Sequence, residues 1–495
     1  MEKPHLLMQS AIRAGAMAFV KLLGLIGRVI LARMVGAEGI GLYQMAYSFY
    51  GFVIMLFGGV PTALAIITAK KPGQGWQLLK ILLFGFIVLG SVVSLIVFME
   101  STWLAKLLGN SDLSGLLKSM ALAIVIAPLL GLLRGYLQGL EQFGIIAASE
   151  VIEQAVRIFF MLLIVYYCLP SGIGNALGKG LYATFLSMIF SLLVVTIYIA
   201  QNNLNSSSEH PKKDSFPVKW LVQTSFLISI TRLLIPASEF LDAIIIPNRL
   251  MASGYSSAEA TSIFGIITGM ALTIVYTPTL ITEALSYTLT MRIASVWQRK
   301  EGNKFKELLR ITMKLSWLWG LISTSFLFVY AEELSVYIFD TDKPSELIKY
   351  LSVVPIIVGF REVSTSILWA QDIKKTPFTG LAIGISISTI IHYFVIAIPG
   401  YAYIGAAAGV LTMEVVSLLW NLTVFRNKMN FIKTIPSALL DLLVIGGIGT
   451  FLAETKPSTL SSLMDFVMSG IFFFSLTGVY FVLRCKEVNK MSYMF

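Results

Sequence analysis

Apolar runs of about 20 residues recur along the whole chain, and roughly sixteen ionisable side chains sit inside them. A run of that length spans hydrocarbon as a helix. A charge at a bilayer centre costs roughly 3 kcal/mol on insertion scales, so sixteen facing lipid would cost roughly 50 kcal/mol. That is several times the net stability of a typical domain. The charges must therefore face one another, or water within the membrane, and a polar interior of this kind implies a polar cargo. The chain has 495 residues, of which 56% are hydrophobic and 13% charged, which excludes a soluble domain. The net charge of +10 is no nucleic-acid signature here, because it concentrates in short loops.

The pattern predicts an all-α polytopic membrane protein with fourteen spans. They fall at 9–34, 40–68, 78–99, 116–138, 145–168, 176–200, 219–246, 261–289, 308–331, 346–370, 377–399, 402–425, 433–453 and 463–485. Loops after even-numbered spans collect lysine and arginine, as in Lys70 and Lys71, or Arg292, Arg299, Lys300, Lys304, Lys306 and Arg310. Opposite loops are acidic, with Glu332, Glu333, Asp340, Asp342 and Glu346 after span nine. Both termini are therefore expected in the cytoplasm, with the chain in the cytoplasmic membrane. Cys168 and Cys485 fall at opposite faces and cannot pair within a chain, and no metal-ligand spacing occurs. The first span carries Arg13, Lys21 and Arg28 and lacks an A-x-A exit, so it is not read as a cleaved signal.

Landmarks repeat along the chain. Arg13 has Arg232 219 residues later, and Pro61 has Pro278 217 later. Pro128 precedes Arg134 by six, and Pro355 precedes Arg361 by six, an offset of 227. The expectation is two parallel six-span lobes, 1–201 and 218–428. A Ser-rich linker at 202–217 joins them, and an appended helix pair occupies 429–495. A parallel repeat places a binding cavity between its halves. The appended pair reads as carrying only Asp441 in its interior, an uncharged surface for lipid.

Enzymatic motifs are absent, so the chain is not expected to be an enzyme. The run Gly172–Gly180 mimics a phosphate loop, but Gly180 stands where a Ser or Thr must ligate magnesium. No cofactor is expected; a coupling cation, Na+ or H+, stays open. Lys21 and Arg28 lie about 20° apart on a helix and Arg13 about 80° from Lys21, which makes one stripe. Glu150, Glu153 and Arg157 share one face of span five, and Glu153 with Arg157 has the spacing of an internal pair. Arg232, Glu239 and Asp242 share span seven with Pro236 and Pro247, a bent and charged helix. Glu283, Arg361, Glu362 and Glu414 read as lone or adjacent charges; a carboxylate without a close cation can carry a proton or bind a cation. Gly131, Gly135 and Gly139, Gly380 with Gly384, and Gly405 with Gly409 allow close helix approach.

The stretch LRGYLQGLEQFGIIAASEVIEQAVRIFF, 133–160, resembles the stage V sporulation protein B group. So do LLGLIGRVILARMVGAEGIGLYQMAYSFYGF, 22–52, and GVPTALA, 59–65. That group belongs to the multidrug/oligosaccharidyl-lipid/polysaccharide (MOP) exporter superfamily. The resemblance implies a flippase for lipid-linked saccharides with alternating access, related to lipid II flippases. In those a basic cluster of the amino-terminal lobe is thought to hold pyrophosphate. Lys21 matches one such position; the next would fall on Gly27, with Arg28 one residue later, and the span-two arginine has no counterpart in 48–55.

The expected function is translocation of a polyprenyl-pyrophosphate-linked saccharide, a cell-wall or spore-cortex precursor, with the lipid tail left in the bilayer. Lys21, Arg28, Arg134 and Arg232 are the expected head-group contacts. Glu153, Arg157, Glu239, Asp242, Glu283 and Glu414 are the expected switching pairs or coupling sites. Two alternatives stand beside it. One is an ion-coupled exporter of organic cations, which needs a cavity dominated by carboxylates and aromatics. The other is a non-transporting scaffold for cell-wall synthesis proteins.

Overall fold

The computed structural model describes residues 3–204, 218–424, 435–455 and 462–492, and among these all the regular structure is helical. The linker 202–217 lies mostly outside the described residues. Contacts divide the chain into two compact units, Met1–Gly265 and Ile266–Phe495.

Unit 1 opens with α1 (Lys3–Met55), which holds the first expected span and much of the second. Its break falls at Gly36, whose φ of 69° is a conformation that a side chain would strain. There follow α2 (Gly59–Lys70), α3 (Pro72–Met99), α4 (Ser101–Leu108) and α5 (Leu113–Gly139). Pro72 opens α3, where its missing N–H leaves no bond unmade. After α6 (Phe143–Cys168), the expected sixth span is broken at Leu181 into α7 (Ile173–Gly180) and α8 (Tyr182–Gln201). Then α9 (Val218–Ala252) stays helical through Pro236 and Pro247. A Ser256–Glu259 capping box starts α10 (Ser257–Phe264). Backbones approach closely where the sequence has glycine. A Cβ on Gly135 would lie 2.4 Å from the Pro61 carbonyl oxygen, so α2 and α5 pack directly. By contrast α3 turns Ile81, Phe84 and Leu95 outward, a surface suited to lipid tails.

Unit 2 contains α11 (Leu272–Tyr276), α12 (Thr279–Gln298), α13 (Gly302–Val329), α14 (Ala331–Phe339), α15 (Ser345–Leu351), α16 (Val354–Ala370), α17 (Lys375–Val395) and α18 (Ala402–Thr423). The expected eighth span is thus interrupted at Thr277 and Pro278: Ser257–Tyr276 is one helical segment, with a π-helical stretch at Gly265–Ala271 joining α10 to α11, and α12 follows. The Gly384 and Gly409 positions let α17 and α18 interlock: a Cβ on Gly409 would lie 2.0 Å from His392 Nε2. The appended helices α19 (Ile435–Thr455) and α20 (Leu463–Ser492) pack on α13.

By length and composition, 11 helical segments can cross a membrane among the described residues, or 12 if the bent pair α15–α16 is one span. The expected fourteen are not all counted: Gly15–Lys70 is a single 56-residue segment despite its kink, and α9 is absent from the eleven.

Candidate functional site

In unit 1 the polar centre is built on Arg134. Pro128 interrupts the ladder of α5 one and a half turns earlier, and the Arg134 guanidinium then reaches two neighbouring helices. Its Nε donates to Ser149 Oγ on α6 at 2.9 Å and its Nη2 to Ser191 Oγ on α8 at 2.9 Å. Nη1 lies 2.9 Å from Glu153 Oε2 on α6. Arg157 Nη1 stands 3.8 Å from the other Glu153 oxygen, the internal pair that the spacing predicts. Arg157 also donates to Gln154 Oε1. One carboxylate therefore serves two arginines. Arg134–Glu153 was not legible from spacing, because its partners sit on different helices.

The stripe on α1 adjoins this centre. Gly24 and Gly27 face α6: a Cβ on Gly24 would lie 2.8 Å from Gln154 Nε2, and one on Gly27 2.8 Å from Ile158 Cγ1. A long cation at Gly27 would collide with α6, which is a physical reason for the basic side chain to stand at Arg28 instead. Lys21 and Arg28 lie about 40–60° around the helix from Gly24, beside the α6 contact. Arg13 sits toward the same helix, its guanidinium 5.4 Å from the Phe143 ring centre. Lys21 is exposed and Arg28 half-buried.

On α9, Arg232 Nη1 donates to the Gly58 carbonyl at 3.2 Å, and the Gly59 N–H donates to Ser229 Oγ at 3.0 Å. A Cβ at Gly59 would lie 2.0 Å from the Ser225 carbonyl oxygen. The GVPTALA stretch thus serves as the seat of α9. Arg232 lies within Coulombic range of Arg13, and Glu239 within range of both Arg28 and Asp242. The structure brings Arg13, Arg28, Arg232, Glu239 and Asp242 together along α1 and α9.

Unit 2 has a second centre, on Arg361 of α16. Its Nε donates to Glu414 Oε2 on α18. The other Glu414 oxygen accepts from Tyr276 Oη at 2.9 Å. Arg361 Nη2 lies 3.9 Å from Glu362 Oε1, and Thr282 Oγ1 lies 3.3 Å from Glu362 Oε2. Glu283 lies within Coulombic range of Glu362. This corrects the reading of these residues as lone charges. Glu414 is 2% exposed and is paired with an arginine 53 positions away, which only folding brings near.

The appended pair also needs correction. Asp441 is not the only charge in its interior: Arg484 Nε on α20 meets Asp441 Oδ1 on α19 at 2.6 Å, and Tyr480 Oη donates to the same oxygen at 2.7 Å. Arg484 Nη2 adds a bond to Ser437 Oγ at 2.6 Å. The two charges are buried against each other, so the pair still presents an apolar exterior. Tyr330 Oη of α13 lies 2.6 Å from Ser469 Oγ, and Phe326 packs against Phe474 with ring centres 4.8 Å apart, which docks α20. Among the described residues no group of three His, Cys, Asp or Glu could hold a metal ion.

The family described as "Polysaccharide biosynthesis protein" matches residues 7–279. Stage V sporulation protein B of Bacillus subtilis (strain 168) is 27% identical over 442 residues, 86% of this chain and 85% of that protein. Lipid II flippase MurJ of the same organism is 29% identical over 196 residues, 36% of each chain. A multidrug resistance MATE family transporter of the MOP superfamily, solved in an inward-facing conformation, superposes with a TM-score of 0.65. Its sequence identity is 14%, and the match covers 82% of this chain and 94% of that one, which establishes a common fold. The resemblance read from 22–52, 59–65 and 133–160 is borne out, as is the all-α MOP fold. The relatives whose names state an activity are a flippase and a transporter, not enzymes.

Proposed function

This chain belongs to the polysaccharide biosynthesis protein family, and from that premise we propose that it is a flippase for a polyprenyl-pyrophosphate-linked saccharide, working by alternating access in the bacterial cytoplasmic membrane. The observation that carries the reading is the gathering of cations in unit 1. Arg13, Lys21 and Arg28 on α1 and Arg232 on α9 border a centre in which two further arginines share Glu153. A pyrophosphate is the anion such a set suits, because charge-assisted bonds to phosphate oxygens are the strong ones. In this reading Lys21, Arg28 and Arg232 meet the head group. Arg134, with Nε, Nη1 and Nη2 each engaged by Ser149, Glu153 and Ser191, positions α6 for them.

Coupling is assigned to carboxylates. Glu239 and Asp242 face the cationic stripe and exchange partners with the head group. In unit 2, Thr282 has one hydroxyl proton, with the Thr279 carbonyl 2.8 Å away and Glu362 at 3.3 Å. A proton taken up on Glu362 would supply the missing donor, with Glu283 beside it and Glu414 held by Arg361. The two six-span lobes, the fourteen spans and both termini in the cytoplasm belong to the same proposal, as does contact with cell-wall synthesis proteins that consume the product.

The test is a vesicle assay with a fluorescent polyprenyl-pyrophosphate-linked saccharide, with and without an imposed proton or sodium gradient. Wild-type protein is expected to move the lipid, and Lys21→Ala with Arg232→Ala to slow it at least tenfold. Movement at the normal rate would overturn the head-group assignment. The carboxylates around Arg361 favour one second reading, export of an organic cation. Gradient-driven uptake of such a cation, with no movement of the lipid-linked saccharide, would replace the first reading by the second.

A further inference from the structure

The turn between α12 and α13 concentrates positive charge without an internal use for it. Residues 292–310 contain Arg292, Arg299, Lys300, Lys304, Lys306 and Arg310 against two acids, Glu301 and Glu307. All six cations are exposed. One is already engaged: Lys304 Nζ lies 2.7 Å from Glu301 Oε2, and that hydrogen bond holds the Glu301 carboxyl below the usual carboxylate range. The remaining five have one exposed acid among them, Glu307.

The apolar side of the same turn is anchored. Ile293, Phe305 and Leu309 are buried in a cluster with Val363, Ile367 and Leu368 of α16. The cations therefore stand within a turn or two of the point where both helices enter their apolar stretches. Trp297 lies at that boundary, 41% exposed, with its ring centre 5.1 Å from Phe305. Beside it opens a cavity of ≈ 490 Å³, lined by Trp297, Gln298, Lys300, Glu301 and Phe305 among others. A cluster of cations at the edge of a hydrocarbon-spanning helix, beside an exposed indole, matches the layering of a lipid head-group region, with phosphate at the level of the cations and glycerol at the level of the ring.

We propose that the α12–α13 turn is an anionic-phospholipid site. Arg299, Lys300, Lys306 and Arg310 hold the lipid phosphate, and Trp297 caps the glycerol beside the cavity. The site shares no residue with the stripe on α1, so its occupancy can be tested apart from that of the cargo. A soluble anion would use the cations and gain little from the indole; a lipid uses both.

The experiment is native mass spectrometry of the full-length protein released from micelles containing phosphatidylglycerol, with phosphatidylcholine as the neutral counterpart. Phosphatidylglycerol is expected to be retained at least fivefold more. Each cation removed in Arg299→Gln, Lys300→Gln and Lys306→Gln is expected to weaken retention about fivefold at low salt. The pair Lys374→Gln and Lys375→Gln, which removes charge from another loop, is expected to leave it unchanged. Trp297→Ala is expected to lower retention of phosphatidylglycerol while the response to salt persists. Melting temperatures in phosphatidylcholine check that each variant is folded; for a triple variant that is not, the single Lys300→Gln replaces it. Equal retention of the two lipids, or an equal loss from the Lys374/Lys375 variant, would overturn the site. Full displacement by about 10 mM inorganic phosphate would reassign it to a free anion and overturn the lipid.

Discussion

The centres on Arg134 and Arg361 follow the same backbone landmark, an arginine six residues after a proline, yet they differ in sign. Around Arg134 the side chains of α5 and α6 set two guanidiniums against the single carboxylate of Glu153, and two serine hydroxyls and the Gln154 amide oxygen also accept from them. Around Arg361 a single guanidinium faces Glu414 and Glu362, with Glu283 nearby, Tyr276 donating to Glu414 and the Thr282 hydroxyl beside Glu362. Extending the centre of unit 1 keeps its cationic excess: Arg13, Arg28 and Arg232 stand with two carboxylates, Glu239 and Asp242. The lesson is that a repeated landmark fixes where a polar centre forms, while the residues supplied by neighbouring helices fix which ion it favours. The cation-rich centre suits an anionic head group; the carboxylate-rich one suits a proton or another cation.

The contrast can be broken at its most buried member. Glu414→Ala leaves Arg361 without its buried carboxylate, and is expected to cost about 3–5 kcal/mol in unfolding experiments in detergent. Arg361→Met in the same chain is expected to restore most of that loss. A change under about 1 kcal/mol for Glu414→Ala would mean that Glu362 and Glu283 can take over, so the two centres would differ less in rigidity than their geometry implies. Glu153→Ala strands two arginines in a more open centre, and about 2–3 kcal/mol is expected on the same measurement. Ser191→Ala removes one acceptor from Arg134 and is expected to cost about 1 kcal/mol, which measures how much of that centre rests on neutral partners.

Glu362→Gln sharpens the functional half of the comparison with the smallest change to the fold. Its unfolding is expected to shift by less than about 1 kcal/mol, since the amide can donate to the Thr282 hydroxyl oxygen, whose own proton the Thr279 carbonyl takes. In the vesicle assay the same variant is expected to lose the response to an imposed proton gradient while still binding the lipid-linked saccharide. A variant that responds normally would remove Glu362 from the coupling step and leave Glu239 and Asp242 as the carboxylates to examine.

Much of this molecule was written in the order of its residues. Runs of apolar side chains dictate helices because lipid offers no partner for an unpaired backbone group. Gly36 between two such runs marks the break inside α1, and the spacing of Glu153 and Arg157 gives their pair, because both depend on neighbours along one helix. The glycines that seat α2 on α5 and α17 on α18 were legible for the same reason. Tertiary structure alone decided which charge meets which. Arg134 with Glu153, Arg361 with Glu414 and Arg484 with Asp441 join residues on separate helices, and helical periodicity carries no information about a neighbour across a packing interface. It also decided that α19 and α20 are held together by a buried ion pair, where the sequence reading placed Asp441 alone. In a membrane protein a charge inside an apolar run states that a partner or water must exist; which partner it finds is set by how the helices pack.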